Sequence, residues 1–118
     1  MPPLNVVIDL SHHNGTVNLA KAKTDGIVGV IHKASQGLGY SDPLYETNRK
    51  QAAGAGLYWG AYHFGTGSDG VHQAEHFLSV VQPGPKDLLV LDLEANPQGP
   101  SMPLEEATQA GQGLTPGR

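Results

Sequence analysis

The sequence predicts an α/β fold of parallel βαβ units, of the (β/α) TIM-type barrel class and extending over about four units. Three observations carry this expectation. Four short apolar runs, Val6–Leu10, Ile27–Ala34, Leu57–Phe64 and Leu88–Leu93, are rich in β-branched or aromatic residues and read as buried strands. The segments between them carry helix start and stop signals, with the later strands roughly thirty residues apart, as βαβ units require. All four runs also end in polar residues, at the strand ends where such sheets bind ligands.

The first strand ends in Asp9-Leu10-Ser11-His12-His13, and Asn14-Gly15 follows as a polar turn with glycine supplying positive φ. Asn18 caps a short helix running to Thr24, with Gly26 as its stop. The second strand ends in His32-Lys33-Ala34-Ser35-Gln36-Gly37. Ser41-Asp42-Pro43 opens the next helix, a cap followed by proline in the first turn, and that helix runs to about Ala53 before Gly54 and Gly56. The third strand ends in Tyr62-His63-Phe64. Ser68 or Asp69 starts a third helix with Val71, Ala74, Phe77, Leu78 and Val81 on one face, and Pro83-Gly84-Pro85 ends it. The fourth strand ends in Asp92-Leu93-Glu94. Ser101 is placed to cap a fourth helix entered through Pro103-Leu104, and residues 111–118 read as an unstructured tail.

Composition narrows the function. A length of 118 residues implies one domain, whereas a closed eight-stranded barrel takes about 250. The 16 glycines cluster at strand–helix junctions and read as turn residues. Net charge is −4 with no cluster of Lys or Arg, which argues against nucleic acid as a partner. The absence of cysteine excludes disulfides, thiol catalysis and Cys-ligated zinc. No apolar run is long enough to span a membrane. Met1–Asn5 lacks the basic and apolar segments of a signal peptide, so action outside a cell would require a signal not contained in this chain, or release by lysis.

Asp92 and Glu94 carry the most chemical information. Residues i and i+2 of a strand share a face, roughly 6–7 Å apart, while Leu91 and Leu93 point to the covered side. Two carboxyls that close disfavour double ionisation, so one pKa rises. A carboxyl protonated near neutral pH is what protonation of a glycosidic oxygen requires. Asp9 is either a third site carboxylate or a cap for the turn after the first strand. Other readings stay open at this point. The acidic pair could lie on a solvated strand face. His12, His13, His32 and His63 with the carboxylates could serve a metal-dependent hydrolase. His72 and His76 share one helical face without a third ligand and read as solvent-facing.

Four segments in order resemble glycoside hydrolase family 25 lysozymes: Asp9-Leu10-Ser11, Ile31-His32-Lys33-Ala34-Ser35-Gln36-Gly37, Gly60-Ala61-Tyr62-His63-Phe64 and Asp92-Leu93-Glu94. The resemblance, over residues 5–110, implies a (β/α) barrel with an irregular second half. It also implies cleavage of the β-1,4 bond between N-acetylmuramic acid and N-acetylglucosamine in peptidoglycan, with no cofactor and no metal. On that resemblance, Glu94 is the general acid. Asp92 orients the substrate's 2-acetamido group as internal nucleophile, and Asp9 lines the same subsite or tunes Glu94. Tyr62, Lys33, His63 and Ser11 would belong to the substrate-binding surroundings. Two departures stand out. The family's glutamate after Lys-Ala-Thr is Gln36 here, and the resemblance covers about half of a family domain. The expectations that follow are an incomplete catalytic domain, weak or no hydrolysis by this chain, and self-association through an open barrel edge. A peptidoglycan-binding remnant without turnover is the alternative.

Overall fold

A computed structural model describes residues 6–114. Its centre is a sheet of four parallel strands, β1 (Val6–Leu10), β2 (Ile27–Gln36), β4 (Tyr58–Phe64) and β5 (Leu88–Asp92), in the order β1-β2-β4-β5. A two-residue strand, β3 (Tyr40–Ser41), folds back antiparallel on the end of β2. Helices α1 (Leu19–Thr24), α2 (Tyr45–Ala55), α3 (Gly70–Val81) and α4 (Leu104–Leu114) alternate with the long strands. The four expected strands and four expected helices are all present. β3 and a 3₁₀ turn at His12–Asn14 are additional, and both are too short to leave a periodic signal.

The hydrophobic period of two on the strands decides which face is covered. Leu10, Val30, Ala34, Trp59 and Ala61 point toward the helices and are buried with Leu19, Tyr45, Ala52, Phe77 and Val81. Side chains of the other face, the inner face in a barrel, stay open. Val7 is 53% exposed, Tyr58 76% and Leu88 55%. Large and small residues alternate across it: Gly29 lies between Val7 and Tyr58, and Gly60 between Ile31 and Leu88. A Cβ on Gly60 would sit 3.1 Å from Leu88 Cβ.

Caps follow sequence chemistry at most helix ends. Asn18 accepts from Lys21 N–H, and Asp69 accepts from His72 N–H at the start of α3. Gly56 closes α2 in the left-handed region at φ 73°.

Four expectations need correction. α2 starts at Tyr45, because Asp42 spends its carboxylate on Leu44 N–H and on the His12 turn rather than capping a longer helix. Ser101 holds the loop before α4 instead of capping it: its Oγ accepts from Asn96 N–H, and it bridges Thr66. On α3, Val71 is 41% exposed, and the buried position beside Ala74 goes to Gln73. Finally, Gly111–Leu114 continue α4. Glycines are poor helix formers, but here the lack of a side chain lets α4 approach α3: a Cβ on Gly113 would lie 2.9 Å from Ala74 Cβ. The rest of the expected tail, residues 115–118, and the segment Met1–Asn5 lie outside the described residues.

Candidate active site

The C-terminal ends of the four parallel strands open into a cleft of about 540 Å³, lined among others by Asp9, Ser11, His13, Lys33, Tyr62, Phe64, Asp92 and Glu94. Strand pleat and register account for this set. Asp9 pairs with Ile31, Lys33 with Tyr62, and Tyr62 with Val90, all turning toward the open face. Phe64 pairs with Asp92 one step further along the strands. A β-bulge between Lys33 and Ser35 then sets two residues of β2 against one of β4, so that Ser35 faces His63 on the helix side while Lys33 keeps to the cleft.

Six of the seven expected site residues converge here: Glu94, Asp92, Asp9, Tyr62, Lys33 and Ser11. His63 does not. It is buried on the opposite face, where Ser35 Oγ lies 2.7 Å from Nδ1 and Gln73 Oε1 lies 2.9 Å from Nε2. Gln73 Nε2 donates to the carbonyls of Thr66 and Ser68, and its Oε1 accepts from Thr66 N–H. That leaves Oε1 to accept from His63 Nε2–H, so Nδ1 accepts the Ser35 hydroxyl proton. Burial lowers the His63 pKa and favours this neutral ring. His63 therefore fastens β2, β4 and α3 together rather than touching the cleft.

His32 has the same fate. It stacks on Trp59, meets Tyr45 edge-on, and is held between the Lys33 carbonyl at Nδ1 and the Asn48 amide at Nε2. Burial lowers its pKa as well. With His32 and His63 on the helix side, the four histidines considered for a metal centre do not gather. Among the described residues, no group of three His, Asp or Glu side chains is arranged to hold a metal ion.

The carboxylates differ in setting. Asp92 closes β5 and is half-buried, whereas Glu94 projects beyond the strand and is exposed. Leu93 between them is 48% exposed instead of covered, because the chain leaves the sheet at Asp92. Glu94 lies near enough to act on the Asp92 carboxyl. Burial above all, and then Glu94 and Asp9 nearby, push the Asp92 pKa up to about 6, with Lys33 opposing them. The Tyr62 hydroxyl is pushed up to about 12, chiefly by burial and then by Asp92 and Asp9, so it stays a donor. Lys33 is nearly buried, donates to Gln36 Oε1 at 2.6 Å, and lies 5.1 and 5.3 Å from the Tyr40 and Phe64 ring centroids.

One supporting residue escaped the sequence reading as a site element. The Asp42 carboxylate is fully buried and accepts from His12 N–H at 2.9 Å, with His12 Nδ1 at 3.1 Å. It ties the turn carrying Ser11 and His13 to the start of α2. The only signal was the Asp-Pro pair, which reads as a helix start.

The model of the family described as "Glycosyl hydrolases family 25" matches residues 8–113. The chain belongs to glycosyl hydrolase family 25. Within that family it is 37% identical over 98 residues to Lysozyme M1 of Streptomyces globisporus, covering 78% of this chain and 33% of the relative. It is 35% identical over 74 residues to an autolytic lysozyme of Clostridium acetobutylicum, covering 63% of this chain and 23% of the relative. Among solved structures, the bacterial lysozyme of Streptomyces coelicolor superposes with a TM-score of 0.78 at 30% identity, over 90% of this chain and 53% of that one. The family 25 lysozyme of Aspergillus fumigatus gives a TM-score of 0.73 at 36% identity, over 77% and 46%. The family 25 chain thus spans about half the length of these solved relatives, and a third or less of the curated ones.

Proposed function

We propose that the cleft belongs to a muramidase that hydrolyses the β-1,4 bond between N-acetylmuramic acid and N-acetylglucosamine in peptidoglycan. The observation that carries this reading is the convergence of Asp92 and Glu94 with Asp9 in one cleft, where burial and Glu94 push the Asp92 carboxyl pKa up to about 6. Glu94, exposed at the cleft mouth, donates a proton to the leaving glycosidic oxygen. Asp92, half-buried behind it, accepts from the N–H of the substrate's 2-acetamido group and aims the acetamido oxygen at the anomeric carbon. The C–O bond breaks as the acetamido oxygen bonds that carbon. Water, deprotonated by the Glu94 carboxylate, then opens the ring with net retention. Asp9 lines the same subsite and adds negative field where positive charge develops, and the protonated Tyr62 hydroxyl and Ser11 contact the sugar.

The open inner face supports a finer reading of the fold. Four parallel strands with helices on one side only, and Val7, Tyr58 and Leu88 bare on the other, are the arrangement of part of a (β/α) barrel. The exposure of Glu94 favours one second reading, in which this chain binds the glycan without turning it over, since water is poorly excluded. The proposed place of action is the cell wall, reached outside the cell or after lysis.

Clearing of a purified cell-wall suspension tests the proposal. The chain should release reducing ends that are muramic acid, and Glu94→Gln should lower the rate at least ~10²-fold. Glucosamine reducing ends, or a rate unchanged by the substitution, would exclude the assignment. Retention of chain on the walls with no release by either protein would select the binding-only reading.

A further inference from the structure

Among the described residues, Lys33 is the only lysine or arginine lining the cleft, and it is 8% exposed. Among the described residues no carboxylate lies within 4.0 Å of its ammonium. Its polar side-chain partner is neutral, the Gln36 side-chain carbonyl at 2.6 Å, and the Tyr40 and Phe64 rings flank it. A largely desolvated ammonium with no carboxylate in contact keeps donors free for an anion that reaches it. Asp42, Asp92 and Glu94 act on it only through space. A glutamate at position 36 would neutralise it; glutamine does not.

Resting on the muramidase reading, we propose that Lys33 is the anion subsite of this cleft. It takes the free lactyl carboxylate of an N-acetylmuramic acid residue, and Gln36 is the residue that keeps the cation available. Register supports the position. Phe64 pairs with Asp92, and the Lys33 ammonium lies 5.3 Å from the Phe64 ring centroid. A sugar whose 2-acetamido group sits on Asp92 carries its 3-O-lactyl group on the next ring carbon, adjacent to that contact. The aromatic faces then strengthen the contact by excluding water and stacking on the cation.

The test uses three probes that differ at one group: N-acetylmuramic acid, its lactyl amide, and N-acetylglucosamine. Binding to the chain is followed by chemical-shift titration at low ionic strength. The acid should bind about tenfold tighter than the amide or N-acetylglucosamine, a margin that shrinks as salt is added. Gln36→Glu, which preserves shape and supplies an internal counter-ion, should remove the margin while leaving binding of N-acetylglucosamine unchanged, and Lys33→Gln should also remove the margin. Equal binding of acid and amide by the parent chain, or a margin that survives Gln36→Glu, overturns the assignment and leaves the muramidase reading intact. Binding of none of the three sugars overturns both.

Discussion

At the residue scale, the Asp92–Glu94 pair sets the pH behaviour. Asp92 titrates at about 6, against 3.8 for an ordinary aspartate. The folded chain therefore binds more protons than the unfolded one between about pH 4 and 6, and stability falls as the pH rises through that window. Asp92→Asn removes the dependence, and at pH 7 the variant should be more stable than the parent by ~1 kcal/mol, the cleft's access to solvent screening much of the shift. Urea unfolding of both proteins at pH 4 and pH 7 checks this; a gap that fails to widen toward pH 7 would contradict it. The proposed catalysis needs one proton on the pair, so the rate should decline above about pH 6. Strand parity put Asp92 and Glu94 on one face, whereas Asp9 stayed open between site carboxylate and turn cap until the family resemblance placed it. His63 was not legible, because parity shows that it points away from Tyr62 but not which of the two faces is the cleft. A histidine beside a motif tyrosine was read as site, whereas its hydrogen bonds to Ser35 and Gln73 make it a buried fastener.

At the element scale, the placement of α4 against α3 relies on close backbone approach. α3 and α4 cross where Gly70 faces the backbone of Glu106 and Ala110, and Gly113 faces Ala74. The Glu106 carboxylate also accepts from Gly70 N–H, putting negative charge at the positive end of α3. A Cβ on Gly70 would overlap the Glu106 carbonyl, which is backbone and cannot step aside. Gly70→Ala should therefore destabilise the chain by about 2–3 kcal/mol, although alanine is the better helix former. Thermal unfolding measures the loss, and a rise in midpoint would show that the crossing is looser than described. The same crossing explains why the end of α4 was read as tail. Gly111 and Gly113 look like a linker when intrinsic propensity is the only guide, and the reason for Gly113 appears only once α3 lies beside it. α2 shows the complementary error: Ser41-Asp42-Pro43 has the composition of a cap, yet Asp42 is committed to the turn after β1. Asp42→Ala would strand the His12 and Leu44 N–H groups and should cost about 2–4 kcal/mol, a loss that urea unfolding would register. Asp42→Asn should recover part of it through its remaining carbonyl oxygen, and equal losses in the two variants would argue against the hydrogen-bond account.

At the scale of the whole molecule, the sheet covers one face and exposes the other. Apolar runs alternating with helix signals made the four-unit parallel fold readable, and the structure puts Val7, Tyr58 and Leu88 on the face opposite the helices. What alternation could not supply is the partner of that face, because a strand with apolar residues on both sides looks the same whether one side or two are covered. Contiguous apolar area of this kind associates when it meets its like. The chain should therefore self-associate with rising concentration, through the inner face and the open edges of β1 and β5. Light scattering across a hundredfold concentration range should give a mass that climbs above that of one chain. Leu88→Lys places a charge on that face at the β5 edge, where the side chain is more than half exposed. Its effect on stability should stay within ~0.5 kcal/mol, while association falls sharply. A parent chain that stays at the mass of one copy throughout, or a variant that associates as strongly as the parent, would mean that this face is not the adhesive one.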